Sequence, residues 1–169
     1  MDIFIIKIVS ADDVHMDLLK QFQKKPISNP ESWNRHCLSY LMVDRILKEV
    51  YKIETREINF VNKKPILVSG EKHFSISHSK DYIALAFSDK NCGIDIEENK
   101  QRDFEKISQR MNFNTKTLDE FYQKWTEFEA KYKLGNDFNI AKTFKLENYT
   151  ITAVSENPNE NFEIYIQNN

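Results

Sequence analysis

Three stretches of this chain carry side chains whose types and spacing can do chemistry. In Gly93-Ile94-Asp95-Ile96-Glu97, strand alternation sends Ile94 and Ile96 to one face and Asp95 and Glu97 to the other, so two carboxylates share a side. Like charges at that separation repel unless water or a cation lies between them. The plain alternative is an amphipathic strand with a wet outer face. In Trp125-Thr126-Glu127-Phe128-Glu129-Ala130-Lys131-Tyr132-Lys133, helical spacing puts Trp125, Glu129 and Lys133 at i, i+4 and i+8, stacking an aromatic ring, a carboxylate and an ammonium along one ridge. Alone, such a Glu-to-Lys pair is an ordinary surface contact of about 0.3 to 0.5 kcal/mol. The third stretch, Phe74-Ser75-Ile76-Ser77-His78-Ser79, ends a strand on a hydroxyl and an imidazole. Neighbouring strand residues point to opposite faces, so Ser77 and His78 do not form a nucleophile dyad, and a lone histidine is commonly structural. The chain has no Ser-His-Asp spacing and no glycine-rich phosphate loop.

The elements that must hold these residues are legible from periodicity. Residues 3 to 9, rich in Ile and Val, predict a buried strand, and Asp12 to Gln23 a helix stopped by Pro26. A second helix is capped by Asn29, with Pro30 in its first turn and Leu38, Leu41, Met42, Arg45, Ile46 and Val50 at helical spacing. Short extended pieces follow at Glu57 to Val61 and Ile66 to Val68, around the turn-forming Asn62-Lys63-Lys64-Pro65. His73 to Ser77 and Tyr82 to Phe87 read as paired strands joined through Ser79-Lys80-Asp81, and Gly93 to Glu97 as another. Helices are expected over Asp103 to Met111 and Thr117 to Leu134, the latter stopped by Gly135-Asn136. Extended segments close the chain near Thr143 to Leu146, Tyr149 to Val154 and Phe162 to Ile166. The order of strand, helices and strands occurs twice, which suggests two similar α+β halves, 1–80 and 81–169, in a pseudo-twofold arrangement.

Composition bounds the function. With 24 Lys+Arg against 26 Asp+Glu in 169 residues, the formal charge of −2 argues against a generally basic nucleic-acid binder. Apolar residues at 40% are enough for one core, and 12 Phe and 7 Tyr against only 3 Gly and 4 Pro favour regular elements over linkers. The apolar runs are short and Asp2 precedes a strand-like run, so neither a membrane span nor a signal peptide is expected. Cys37 and Cys92 lack metal-type spacing, and reduced thiols in the cytoplasm are the simplest account.

Taken together and in this order, FSISHS, GIDIE and WTEFEAKYK resemble the signatures F-N-(I/V)-S-H, (V/I)-G-(I/V)-D-(I/V/L)-E and W-(S/T)-x-K-E-(S/A)-x-x-K of the 4'-phosphopantetheinyl transferases of the surfactin-synthetase-activating type. Upstream, Lys63-Lys64-Pro65 sits where that family has G-K-P, and Arg35 precedes an apolar helix as the family's helix arginine does, so the resemblance covers residues 35 to 133. It implies a 4'-phosphopantetheinyl transferase-like fold of two halves. It also implies transfer of the phosphopantetheine arm of coenzyme A to a serine of an apo carrier protein, with release of adenosine 3',5'-bisphosphate. By that resemblance Asp95, Glu97 and Glu129 hold a magnesium ion, which resolves the repulsion on the strand and suits a diphosphate substrate. Lys133 holds the attacked phosphate, Ser77 and His78 contact the coenzyme's phosphates, Lys64 lies beside the adenine, and Arg35 grips the 3'-phosphate with its fork of donors. Glu129 is also the candidate general base, and Lys24 or Lys25 are further candidate cations.

The chain departs from the pattern in places. Phe128 stands where the family has Lys, with Lys131 and Lys124 the nearby cations, and no fourth acid is assigned. The chain is short for a two-half enzyme, with the contraction at residues 10 to 34 and in the tail. These departures keep two other readings open: a non-catalytic descendant that binds coenzyme A or a carrier protein, and an unrelated α+β scaffold whose acidic strand binds calcium. Lys131, Lys133, Lys142 and Lys145 are candidates for a patch facing an acidic carrier helix, the alternative being a merely solvated face. Neither nucleic acid nor membrane is an expected partner, and two fused halves make a monomer sufficient.

Overall fold

Two strands of this chain, Tyr82-Ile-Ala-Leu-Ala-Phe-Ser88 and Tyr149-Thr-Ile-Thr-Ala-Val-Ser155, are buried along their whole length, and the architecture follows from covering both faces of each. A computed structural model describes residues 1–8, 30–54, 56–135 and 137–167. The expected helix over Asp12 to Gln23, the Asn29 cap, Asn136, and the candidate cations Lys24 and Lys25 lie outside the described residues. In chain order the elements are β1 (Asp2–Lys7), α1 (Pro30–Glu49), β2 (Ile58–Val61), β3 (Lys64–Leu67), β4 (His73–Ser79), β5 (Tyr82–Ser88), β6 (Cys92–Glu98), α2 (Glu105–Met111), α3 (Leu118–Leu134), β7 (Ile140–Leu146), β8 (Tyr149–Ser155) and β9 (Glu163–Gln167). The fold is therefore mixed α+β, with three helices and three sheets among the described residues.

The first sheet has the order β4-β5-β1-β9, with β9 parallel to β1 and the other pairs antiparallel. The second has the order β6-β8-β7, all antiparallel. Their inner faces meet in one core of Ile3, Ile5, Tyr82, Ala84 and Ala86 against Ile94, Ile96, Tyr149, Ile151 and Ala153. On the outer face of the first sheet, Ile83, Leu85 and Phe87 pack against Val43, Ile46 and Leu47 of α1. On the outer face of the second, Val154 meets Ala130 and Leu134 of α3. At about 1.5 to 3 kcal/mol for each fully buried Ile, Leu or Phe, two-sided burial makes β5 and β8 the centres of their sheets.

Two stretches of the chain, β1 to β5 and β6 to β8, share a connectivity. In each, a first strand leads through helix to a hairpin whose second strand returns to pair with the first, giving β1, then β4 and β5, and again β6, then β7 and β8. The changeover lies between β5 and β6, at residues 89 to 91. Position 80, where the repeated order of elements suggests a division, is the tight turn of the β4/β5 hairpin, in which Ser79 pairs with Tyr82 and Lys80 has φ +48°. The β2/β3 hairpin also differs from expectation. Asn62 and Lys63 alone form its turn, both at positive φ, while Lys64 and Pro65 enter β3 opposite Val61 and Phe60. Two left-handed residues match the twist of a two-residue hairpin, and Pro is tolerated because the pair is a lone ribbon.

The edges of the two sheets are sewn together by serines. Alternation along β4 turns Ser75, Ser77 and Ser79 toward β6, where their Oγ atoms accept hydrogen bonds from the N–H groups of Ile94, Ile96 and Glu98 at 3.1, 3.3 and 3.1 Å. Donors left open at a sheet edge are thereby satisfied. No helix among the described residues is long and apolar enough to cross a membrane, and Cys37 and Cys92 are both buried free thiols.

Candidate active site

Helix α3 is fixed at both ends by its own sequence. Thr117 accepts from Glu120 N–H while the Glu120 carboxylate reaches back to Thr117 N–H, and Gly135 ends the helix at φ +91° with its N–H on Lys131 O. Its seat is Gly93. A Cβ there would lie 2.0 Å from the carbonyl oxygen of Ala130, so only glycine lets the helix backbone rest on β6. Beneath it, Thr126 and Thr152 share a buried hydroxyl contact of 2.7 Å. This close seating carries the Trp125, Glu129 and Lys133 ridge onto the acidic face of β6.

Asp95 is the centre of the site, with 5% of its surface exposed. Its Oδ1 accepts from Ser77 Oγ at 2.8 Å and from Lys133 Nζ at 2.7 Å, and Lys133 also donates to Ile94 O at 3.1 Å. Its Oδ2 is buried and has no hydrogen-bond partner. Two residues along, Glu97 Oε1 accepts from Trp125 Nε1 at 3.3 Å. Burial, and then the charge of Asp95, push the Glu97 carboxyl above the usual range, with the same two causes in the same order for Glu129. The charge of Asp95 therefore raises the cost of ionising both Glu97 and Glu129.

Whether these residues suit a divalent cation is decided by Oδ2. The buried Oδ2 of Asp95 is a carboxylate oxygen left without a partner, and the charge of Asp95 acts on both Glu97 and Glu129, oxygen donors of the hard type that divalent ions take. Among the described residues, no three of His, Cys, Asp and Glu already stand close enough together to hold one. Lys133 supplies the positive charge that Asp95 meets.

Around the acids runs a cleft of about 1170 Å³, above the usual range for drug-sized ligands. Asp95, Glu97, Glu129, Lys133, Ser77, His78 and Lys64 all line it. The His78 imidazole is held below its ordinary value by its packing, and then by the positive charges of Arg35 and Lys133. Arg35 thus stands near the His78 end, on the same helix as the lining residues His36 and Tyr40. Beside the acids of β6 and α3 the cleft is lined by Lys63 and by the imidazoles of His36, His73 and His78, each held below its ordinary pKa chiefly by burial.

Two expected roles meet different surroundings. All three N–H donors of Lys64 are committed, to Asn91 Oδ1, to Cys92 O at 3.2 Å and to Leu134 O at 3.2 Å. Lys64 ties β3 to the start of β6 and the C-terminal end of α3, and desolvation holds its ammonium below the usual value. The lysine patch is largely neutralised: Lys131 pairs with Asp137, Lys133 with Asp95, and Lys145 with Asp119. Phe128 packs against Phe113 and Trp125, at ring separations of 5.9 and 6.4 Å.

Residues that the motifs do not reveal also line the cleft, among them His36, Tyr40, His73 and Tyr132. His73 had a signal, since it lies on the same alternating side as Ser75 and Ser77, whereas His36 and Tyr40 carry none beyond helical spacing. No protein-family model matches this chain, and no curated protein matches its sequence.

Proposed function

We propose that this chain is a 4'-phosphopantetheinyl transferase, with the two-half fold of that family, which moves the phosphopantetheine arm of coenzyme A to a serine of an apo carrier protein. One observation carries the reading. The acids of β6, the Glu129 and Lys133 ridge of α3 and the Ser77-His78 end of β4 line a single cleft. Three motifs distant in sequence have no structural need to share a cleft.

In this reading the serine oxygen of the partner forms a bond to the phosphorus that bears the pantetheine arm, and that phosphorus loses its bond to the bridging oxygen. The bridging oxygen departs with adenosine 3',5'-bisphosphate. Glu129 takes the serine proton; burial and then the charge of Asp95 raise its pKa and make it a stronger base than an ordinary carboxylate. Lys133, whose ammonium donates to Asp95 Oδ1 and Ile94 O, keeps one N–H for the attacked phosphate, while Arg35 supplies positive charge and His78, held below its ordinary pKa, a neutral hydrogen-bonding ring for the remaining phosphates. Asp95, Glu97 and Glu129 would hold magnesium, which when bound neutralises charge on the diphosphate oxygens.

The test is mass spectrometry of an apo carrier protein after incubation with the chain, coenzyme A and magnesium. The carrier gains the mass of the arm, while Asp95→Ala and Glu129→Ala abolish the gain and keep the parent's circular dichroism. Variants that transfer as well as the parent refute the proposal. Phe128 favours a second reading, a binding protein that no longer transfers, because an aromatic contact occupies the position of a phosphate-facing cation. Calorimetry showing tight coenzyme A binding, with no modification of several carriers, selects that reading.

A further inference from the structure

Each of the two packed sheets has two edges, and three of the four are guarded. β4 and β6 close on one another through Ser75, Ser77 and Ser79. β7 carries exposed Lys142 and Lys145, the kind of charge that keeps an open edge from pairing with another chain. β9 has neither device. Its residues are all exposed, with 36, 46 and 49% of Ile164, Tyr165 and Ile166 in solvent, and no lysine, proline or glycine interrupts it. The backbone shows which groups are open. Glu163 N–H donates to Met1 O, so alternation turns the N–H and C=O of Glu163, Tyr165 and Gln167 toward β1 and those of Ile164 and Ile166 away from the sheet. The outward groups meet no hydrogen-bond partner among the described residues. Side by side with Ile3 and Ile5, Ile164 and Ile166 carry the inner apolar row past the end of the core, while Tyr165 stacks on Phe4 at 5.0 Å on the other face.

We infer that β9 is a dimer interface: two copies pair antiparallel through this edge, centred on Tyr165, and join their β4-β5-β1-β9 sheets into one. This goes beyond the transferase reading and does not depend on it. In that register Ile164 of one copy lies opposite Ile166 of the second copy, and the two exchange both N–H···O=C bonds, so every outward group is used. Tyr165 faces its own counterpart as a pair without hydrogen bonds, where side chains approach most closely. Charge selects the direction. Antiparallel pairing sets each Glu163 carboxylate opposite the Gln167 amide of the second copy, whereas parallel pairing sets Glu163 beside Glu163, and like charges placed opposite are destabilising. Because β4 is taken up by β6, the sheet has one open edge and assembly closes at two copies.

A five-residue edge is a small interface, so association is measured by sedimentation equilibrium from low micromolar to about 1 mM chain. Amide hydrogen exchange of Ile164 and Ile166 is followed over the same range. The expected result is a reversible dimer in which both amides slow as concentration rises. Ile166→Pro removes one outward N–H from each copy and spares the bonds to β1, and Ile166→Lys puts a charge on the edge. Each weakens dimerisation about tenfold or more while keeping the parent's circular dichroism. Lys142→Ala, on the β7 edge, dimerises as the parent does. The exchange measurement needs only the parent, so it decides the matter even where a variant fails to fold. A chain that stays monomeric throughout overturns the inference, and slow exchange of the two amides in that monomer assigns the edge to residues 9 to 29 of the same chain. A dimer as tight in both Ile166 variants as in the parent, or one weakened equally by Lys142→Ala, overturns it as well.

Discussion

Replacing Gly93 by alanine tests whether the seating of α3 builds the site. The added Cβ would meet Ala130 O at 2.0 Å, with Ala130 C at 3.0 Å and Leu134 N at 3.1 Å. Real Cβ contacts essentially never fall below 3.0 Å, so 3.0 − 2.0 leaves at least 1.0 Å to be recovered. All three obstructing atoms are helix backbone, so no side chain can swing aside and the helix must lift or tilt as a body. Overpacking of this kind costs about 1 to 3 kcal/mol, which for a chain of this size lowers Tm by about 2 to 12 °C. The functional cost is larger, because lifting α3 moves Glu129 and Lys133 away from Asp95, and a displacement of about 1 Å at reacting groups can cost about 100-fold in rate. Gly93→Ala is therefore expected to fold, to melt lower, and to transfer the arm about 100-fold more slowly at a temperature where it is fully native. Gly70→Ala is the control, since a Cβ there meets nothing within 4 Å and adds only the strain of φ +71°. Calorimetry and single-turnover transfer measure the two quantities. A Gly93→Ala protein with the parent's Tm and rate would refute the claim that glycine lets the helix reach the acids.

Three further outcomes follow from the same geometry. Because burial and Asp95 raise the Glu97 pKa, its charge destabilises the fold at pH above the raised value, and the penalty disappears as pH falls below the ordinary carboxylate range. Glu97→Gln should thus melt higher than the parent near neutrality and equal to it in acid, while binding Mn²⁺ more weakly; a variant that melts lower at neutral pH contradicts the assigned repulsion. Lys64→Met strands Cys92 O and Asn91 Oδ1 and is expected to cost about 2 kcal/mol in urea unfolding, with transfer reduced only as far as folding is. Phe128→Lys restores the cation of the motif. It should lower the KM for coenzyme A about fivefold, or ~1 kcal/mol, whereas an unchanged KM would mean the position does not face the phosphates.

Much of the fold was legible because its elements follow local rules. The capping pair Thr117 and Glu120, the terminating Gly135 and the apolar spacing of α1 and α3 are each decided within a few residues. Lys80 turns the chain at positive φ without glycine, inside the hairpin that the flanking strand patterns predict, and no residue type there announces that conformation. The serine stitch was equally invisible, since alternate serines on a strand read as a wet face until a second edge is known to lie against them.

The site divides along the same line. Alternation and helical pitch paired Asp95 with Glu97 and Glu129 with Lys133, each pair having an ordinary reading of its own, and only the resemblance to the transferases joined them into one proposed site. Roles failed to follow where they depend on which hydrogen bonds are already spent. Lys64 lines the cleft but gives its three donors to the protein, and Ser77 gives its one hydrogen to Asp95. The same accounting redirects the question of partner recognition. With Lys131, Lys133 and Lys145 each paired to an acid, the surface beside the cleft offers an incoming carrier little uncompensated charge. Steering by unpaired lysines would make the apparent carrier affinity fall steeply with salt, whereas paired lysines leave it nearly flat. Measuring the KM for the carrier between low and physiological ionic strength distinguishes the two, and a steep dependence would mean that these ion pairs open when the partner arrives.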